Sequence, residues 1–193
     1  MSTSLRALTE RPAGRPLDRL VENRRCYTVD VAELNLYDAL RPAERVWLRF
    51  DAPVLASMIT GQKVMHLRDH RPFDFWPGES LVLPAGEPMH IDFPDASDDA
   101  PTRCLALALS EELIRETCVL LEEHCPRAEP GDAWALDDRP FHLMNDPFLH
   151  DTVRRLVQLF VEDHPARDLF VRQTSRELVV RLLQTHARRL LVD

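Results

Sequence analysis

The sequence contains few glycines, five in 193 residues, and this scarcity limits the kinds of catalytic site that it can form. Loops that cradle phosphate groups need several glycines at fixed spacing, and no such loop is present. The Gly-x-Ser-x-Gly turn that carries a nucleophilic serine is missing as well. We expect the acidic residues of the segment 92–99 to lie in a solvated loop and not to form an acid/base pair. We therefore predict that the chain is not an enzyme.

Cysteines and long apolar runs are also scarce. The four cysteines include no Cys-x-x-Cys pair, and the first 20 residues are polar and charged with no cleavable signal. We therefore expect reduced thiols and a cytoplasmic protein. No window approaches the roughly 18 consecutive apolar residues that a membrane span requires. The sequence thus predicts no membrane partner.

A basic surface is lacking too. The 32 acidic residues outnumber the 24 basic ones, which gives a formal net charge of −8. A DNA-reading domain needs a basic face, because contacts to phosphates supply most of its sequence-independent affinity. A pair of helix-turn-helix units would also need several further helices. We predict that this chain does not itself bind DNA.

What the sequence does contain, from Cys26 to Leu109, is a series of short β-strand patterns. Tyr27 and Val29 alternate with polar residues, and apolar segments then follow at short intervals, separated by proline and glycine. Eight short strands punctuated in this way predict a barrel or a sandwich. The later predicted strands are Val46–Phe50, Val54–Ile59, Val64–Leu67, Phe73–Trp76, Leu81–Leu83, Met89–Phe93 and Cys104–Leu109, with one more at Phe141–Met144.

After these strands the apolar period changes to 3.6, which is typical of helices. Ser110 is placed to cap a helix that runs to about Glu123, and Asp146 with Pro147 is placed to start a second. A third helix is predicted from Pro165 to about Leu191. The chain is thus expected to have an amino-terminal arm at 1–21, a barrel at 22–110 and a helical subdomain at 111–193.

The third helix carries more apolar residues than one wall of a barrel can cover. They occupy more than half of its circumference at 3.6 residues per turn. Two explanations remain open: the second helix and the barrel bury the whole stripe, or a second copy of the chain covers the remainder. We favour a homodimer whose interface is formed by four leucines, Leu178, Leu182, Leu183 and Leu190.

The segment from Pro77 to His90 has a distinctive spacing of glycine, proline and histidine. Gly78 is followed after five residues by Pro84-Ala85-Gly86, and His90 comes three residues later. Proline ends a strand because it cannot donate to the ladder, and glycine tolerates a positive φ. This pattern resembles the second motif of the cupin barrels. The resemblance implies a histidine that points into the barrel and often binds a metal.

A narrower resemblance covers about half of the chain, from Glu22 to Glu123. Segments that carry it are Pro53-Val54-Leu55, Gly61-Gln62-Lys63, Pro77-Gly78-Glu79, Leu83 to Met89, Asp92-Phe93-Pro94 and Cys104 to Leu107. They resemble the amino-terminal regulatory domain of AraC-type bacterial transcription factors. The tail from Arg176 to Leu183 is similar to the helix that in this family precedes the linker to the DNA-binding domain.

This resemblance implies an α+β fold, a cupin-like β-barrel followed by a carboxy-terminal helical subdomain. It also implies a regulatory domain that binds a small-molecule effector in the barrel and dimerises through its helices. In the family, effector binding changes how the regulatory domain positions the DNA-binding domains. The DNA-binding domain is not part of this sequence. We favour a piece of a longer regulator over a stand-alone module, and a pure dimerisation role without effector also remains open.

The barrel interior is the expected site for the effector. Apolar cavities with a few polar groups are the usual form of ligand sites. Strand alternation turns half of the candidate side chains outward. In the alternative interpretation, in which no pocket exists, the remaining side chains simply fill an ordinary core. The predicted ligand-binding residues are Trp47, Met58, His66, Phe75, Trp76 and His90, with Met65, Phe73 and Met89 completing the candidate lining.

A metal centre is the competing interpretation of the histidines. His66 lies close to where the first cupin motif places a His-x-His pair, so His66 and His90 are the two residues able to serve as ligands. The other position of that pair is Val64, and Arg71 stands where an acidic ligand is expected. Iron and zinc sites usually need three or four ligands. We predict no metal and no cofactor, and keep a metal-dependent cupin enzyme of the dioxygenase or isomerase type as the alternative.

Overall fold

The computed structural model describes residues 24–127, 133–136 and 138–190. The predicted arm at 1–21 lies outside these residues. The strands are β1 (Arg25–Val29), β2 (Ala32–Ala39), β3 (Ala43–Arg49), β4 (Val54–Thr60), β5 (Lys63–Leu67), β6 (Phe73–Phe75), β7 (Glu79–Leu83), β8 (Pro88–Phe93), β9 (Thr102–Leu109) and β10 (Phe141–Met144). The helices are α1 (Glu111–His124), α2 (Pro147–Val161) and α3 (Arg167–Leu190).

The strands form two antiparallel sheets. A six-stranded sheet has the order β1-β2-β9-β4-β7-β10, and a four-stranded sheet has the order β3-β8-β5-β6. The space between them, here called the barrel interior, holds apolar side chains from both sheets. They include Val54, Met58, Met65, Phe75, Leu81, Leu83, Met89, Ile91 and Phe93. This is the predicted α+β, cupin-like arrangement of a barrel followed by helices.

The three helices cover the other face of the six-stranded sheet. Leu55, Leu105 and Leu107 point from the strands into this second core, and α3 lies against α1, α2 and β2. The sequence signals at the helix starts are confirmed. The side chain of Ser110 accepts from Leu113 N–H at the start of α1, and that of Asp146 accepts from Leu149 N–H before α2. None of the helices in the described part of the chain is long and apolar enough to cross a membrane.

The leucines proposed for a dimer interface are core residues of a single chain. Leu178, Leu182 and Leu183 are each 1% exposed or less. They are buried because α1, α2 and the six-stranded sheet together surround α3, whereas the sequence indicated cover from a single barrel wall. The expectation that these three contact a second copy is therefore wrong for this arrangement. The side chain of Leu190 lies outside the described residues.

Strand β2 is the one long element that the sequence patterns did not predict. Its residues 33, 35 and 37 are polar or amphipathic, although they point into the barrel interior, where a core strand usually carries apolar side chains. The other face of the strand, with Leu34 and Leu36, packs toward the helices. The pattern is therefore a genuine alternation of period two with the polar side turned inward.

Candidate functional site

Polar side chains of β2 line one side of the barrel interior. Glu33, Asn35 and Tyr37 lie at every second position, so strand geometry places them on one face. Their partners across the ladder on β9 are Ala108, Ala106 and Cys104, residues of the barrel interior. Asn35 is fully buried and Glu33 nearly so. Because the neighbouring alanines are small, the sheet places no large side chain beside these polar groups.

These buried groups are joined to each other by hydrogen bonds. Asn35 Nδ2 donates to Glu33 Oε1 at 3.0 Å, and Arg24 Nε donates to Asn35 Oδ1 at 2.8 Å. Arg24 Nη2 also lies 3.6 Å from Glu33 Oε1. The guanidinium is partly exposed, whereas the amide and the carboxylate are buried. A buried polar network that is satisfied in this way fixes the orientation of its members.

Tyr37 continues the row toward the opposite sheet. Burial raises the pKa of its hydroxyl well above the ordinary value, although the Arg24 charge acts in the other direction. The hydroxyl therefore stays protonated at neutral pH and is able to donate. No hydrogen bond to it occurs among the described residues. Tyr37 thus offers a donor directed at the barrel interior.

A lysine from the four-stranded sheet meets this row across the barrel. Lys63 on β5 is 6% exposed and Cys104 on β9 is 4% exposed. Lys63 Nζ donates to Cys104 Sγ at 2.7 Å and stands 5.2 Å from the centre of the Phe93 ring. No carboxylate pairs with this ammonium within the part of the chain that the structure describes. A buried ammonium without a counter-ion is costly, so this position is chemically unusual.

The predicted histidines lie outside the barrel, on the far face of the four-stranded sheet. In β8 the inward positions are Met89 and Ile91, and in β5 they are Met65 and Leu67. His90 and His66 stand directly opposite each other in the ladder and therefore share the outward face. The expectation that His90 points into the barrel is wrong, because strand alternation places its two neighbours there.

The histidines form a row with the predicted ligand residue Trp47. Trp47 pairs with His90, which in turn pairs with His66. His66 Nε2 lies 2.7 Å from Asp92 Oδ2, and the Arg45 N–H donates to Asp92 Oδ1 at 2.7 Å. Burial alone raises the pKa of Asp92, but the hydrogen bonds from Arg45 and His66 outweigh it and the pKa is lowered. The row is thus a half-buried surface feature anchored by an ionised carboxylate.

The remaining predicted site residues divide between the interior and the surface. Met58 and Phe75 are buried in the barrel interior, as are Met65 and Met89. Trp76 is 45% exposed and cannot line the interior. Among the described residues, no cluster of three or more histidine, cysteine or acidic side chains is arranged to hold a metal ion.

Comparison with known proteins identifies the family of this chain. The sequence matches the family described as AraC-type transcriptional regulator N-terminus over residues 30–190. The chain belongs to this family. No curated protein matches it at a significant level.

Two structures of ToxT share the fold of this AraC-type domain. ToxT from Vibrio cholerae has a TM-score of 0.57 at 8% identity, with 80% of this chain and 57% of that chain covered. An apo variant of ToxT from strain SCE256 of the same organism has a TM-score of 0.60 at 9% identity, with 84% and 59% covered. An RmlC-like cupin with a double-stranded β-helix fold from Methanocaldococcus jannaschii has a TM-score of 0.39 at 13% identity, with 53% and 92% covered. The chain thus spans less than two thirds of the ToxT chains.

The interior polar residues of this AraC-type domain were missed at the level of sequence, although two signals exist. Lys63 is the only lysine in the sequence, where the other basic residues are all arginine. Glu33, Asn35 and Tyr37 alternate with leucines, which is the pattern of a strand with one polar face. The polar face of a strand ordinarily lies in solvent, so the pattern by itself predicts that these residues lie on the surface and not in the barrel interior.

Proposed function

We propose that this AraC-type regulatory domain binds a small polar effector in the barrel interior, beside Glu33, Asn35 and Tyr37. The observation that carries the proposal is a polar face on β2 turned inward against small alanines. Buried polar groups are costly unless they are paired, and a ligand supplies further partners when it enters. An ordinary core strand has no need of a carboxylate, an amide and a phenol on its inner face.

The groups available define the chemistry of the effector. The Asn35 amide and the Glu33 carboxylate are oriented by Arg24, and Tyr37 adds a neutral hydroxyl donor. Lys63, from the opposite sheet, adds a positive charge near Cys104. A small molecule with both hydroxyl or amide donors and oxygen acceptors matches this set. Met58 and Phe75 supply the apolar part of the lining.

Regulation is the second part of the proposal. The effector-bound domain acts on DNA through a separate DNA-binding domain that is not part of this sequence, in the cytoplasm. The family supports this role, and the acidic balance of the chain argues against direct contact with phosphates. The four cysteines, all of them free thiols, are consistent with a reducing compartment.

Dimerisation through the helical subdomain remains part of the proposal, with a different surface. Val119 and Leu120 on α1 are exposed, at 49% and 36%, and they are adjacent on the helix. Apolar side chains exposed together on one element are candidates for contact with a second copy. This surface replaces the buried leucines of α3 as the proposed interface.

Effector binding is tested by the thermal shift of the purified chain with a panel of small polar molecules, followed by calorimetry on any hit. Tyr37→Phe removes only the inward hydroxyl, and we expect it to weaken binding by about 2–10-fold, the value of roughly one hydrogen bond. His90→Ala on the outer face is the matched control and should bind normally. Loss of binding in the His90 variant with none in the Tyr37 variant would move the site to the outer face.

A further inference from the structure

The only lysine of the chain is buried inside the barrel and touches a thiol. Twenty-four basic residues are present, and a single one of them is a lysine. Arginine keeps its proton under all ordinary conditions, whereas a lysine amine is able to lose it and to react. Lys63 therefore places a chemically different group at a position where a permanent charge has no carboxylate partner among the described residues.

The lysine nitrogen and the cysteine sulfur lie closer together than a hydrogen bond to sulfur requires. Lys63 Nζ and Cys104 Sγ are 2.7 Å apart, although sulfur is larger than oxygen and its hydrogen bonds are correspondingly longer. This separation is that of two consecutive single bonds with a bent central atom. One oxygen atom therefore fits between nitrogen and sulfur without movement of either strand.

We propose that Lys63 and Cys104 are an oxidation site at which peroxide converts the pair into a covalent nitrogen–oxygen–sulfur bridge. The thiol is first oxidised to a sulfenic acid, which is the entry to the oxidation ladder of cysteine. The adjacent amine and a second peroxide then complete the bridge. The pair lies in the same barrel interior as the proposed effector site, but its oxidation by peroxide requires no effector.

The overall reaction balances with hydrogen peroxide as the oxidant. One thiol, one neutral amine and two molecules of peroxide give the bridge and three molecules of water. The S–H bond and one N–H bond break, and one S–O and one N–O bond form. Sulfur and nitrogen each lose two electrons, which reduce the two peroxides. An ammonium first releases its extra proton to water.

The bridge joins two different sheets. Lys63 begins β5 of the four-stranded sheet, and Cys104 lies in β9 of the six-stranded sheet. The two residues are 41 positions apart, so the bridge closes a long loop of chain. Cross-links of this kind stabilise chiefly by constraining the unfolded chain. We therefore expect the oxidised domain to melt at a higher temperature than the reduced one.

The other cysteines lack this arrangement. Cys26 and Cys125 are exposed, and neither has a lysine amine beside it, because the sequence holds no second lysine. Burial, and then the nearby charge of Glu122, raise the pKa of the Cys118 thiol. Oxidation at these three positions therefore stops at sulfenic or higher acids, or leads to disulfides between chains, whereas Cys104 alone has the partner for a bridge.

The single lysine makes the test direct. The native chain is treated with hydrogen peroxide, then unfolded, alkylated and digested with a protease that cuts only after lysine. The reduced chain should give two fragments, 1–63 and 64–193. The bridged chain should resist cutting, and peptide mapping with a second protease should find residues 63 and 104 in one cross-linked species that has gained one oxygen and lost two hydrogens. Excess dithiol should restore both fragments.

Matched variants decide between the bridge and ordinary oxidation. Lys63→Arg keeps the charge without the reactive amine, and Cys104→Ser keeps a small polar group without the sulfur. Neither should form the cross-linked species, while a chain that keeps Cys104 as its only cysteine should form it. Complete cutting at Lys63 of the peroxide-treated wild-type chain, whether Cys104 is unmodified or carries a sulfinic acid, would overturn the proposal. The digestion of the wild type needs no variant to fold.

Discussion

At the scale of single residues, the geometry around Asp92 fixes the charge of the outer row. The carboxylate accepts from the Arg45 N–H and contacts His66 Nε2. Together these contacts hold the pKa of Asp92 below its ordinary value of 3.8, although burial alone acts to raise it. In this way a polar cluster that has no part in the proposed effector site still contributes to the stability of the sheet.

This residue gives the first stability prediction. Because the folded pKa is below the unfolded one, the unfolded chain binds more protons, and Asp92 stabilises the fold above pH 3.8. That contribution is lost as the pH falls through the lowered folded value. Urea unfolding across this range should show a stability gap between wild type and Asp92→Asn that closes at low pH. Asp95→Asn, at an exposed loop position, is the control. A gap that is constant with pH would contradict the assignment.

At the scale of elements, the turn between β4 and β5 controls where Lys63 enters the barrel. Gly61 has a φ of +78°, and a side chain there would lie 2.6 Å from Thr102 Oγ1 and 2.9 Å from its Cα. The turn thus lies directly against the start of β9, the neighbour of β4 in the six-stranded sheet. Only glycine satisfies both the left-handed backbone and the close approach.

Gly61→Ala and Gly86→Ala separate these two effects. Gly86 has a φ of +80° but open space around it. We expect Gly86→Ala to lower the free energy of unfolding by about 1–2 kcal/mol through backbone strain, and Gly61→Ala to lower it further through the contact with Thr102. Chemical denaturation of the two variants measures the difference. Equal losses of unfolding free energy would show that the contact with Thr102 adds no destabilisation.

At the scale of the whole molecule, we expect stability and the proposed dimerisation to depend on different helices. The leucines of α3 complete the core between the helices and the six-stranded sheet, whereas Val119 on α1 faces outward. We therefore expect Leu182→Ala to lower the free energy of unfolding by about 2–5 kcal/mol and to leave association unchanged.

Val119→Asp should do the opposite and convert a dimer into a monomer without loss of stability. Val161→Asp, at an exposed position on α2, is the matched control and should not change the mass. Light scattering at matched concentration distinguishes these outcomes. If the wild type is already monomeric at tens of micromolar, the proposed interface on α1 fails.

Much of the fold could be predicted from local pattern. The strand at Phe141–Met144 and the cap residues Ser110 and Asp146 follow from signals within a few neighbouring residues, and the structure has them where expected. Strand β2 was not predicted, although its polar residues alternate with leucines. Such alternation, moreover, does not reveal which face of a strand is covered. The same ambiguity hid most of the candidate site.

The sequence by itself determined the change from strands to helices after Leu109, the turns at Gly78 and Gly86, and the acidic balance, because each depends on near neighbours or on composition alone. The direction of each strand face was decided only by the tertiary structure. His66 and His90 have the right spacing for a barrel site, yet Met65 and Met89 take the inward positions. Likewise, a buried leucine on α3 and an exposed one have the same helical pattern until the packing of three helices on one sheet settles which side is covered.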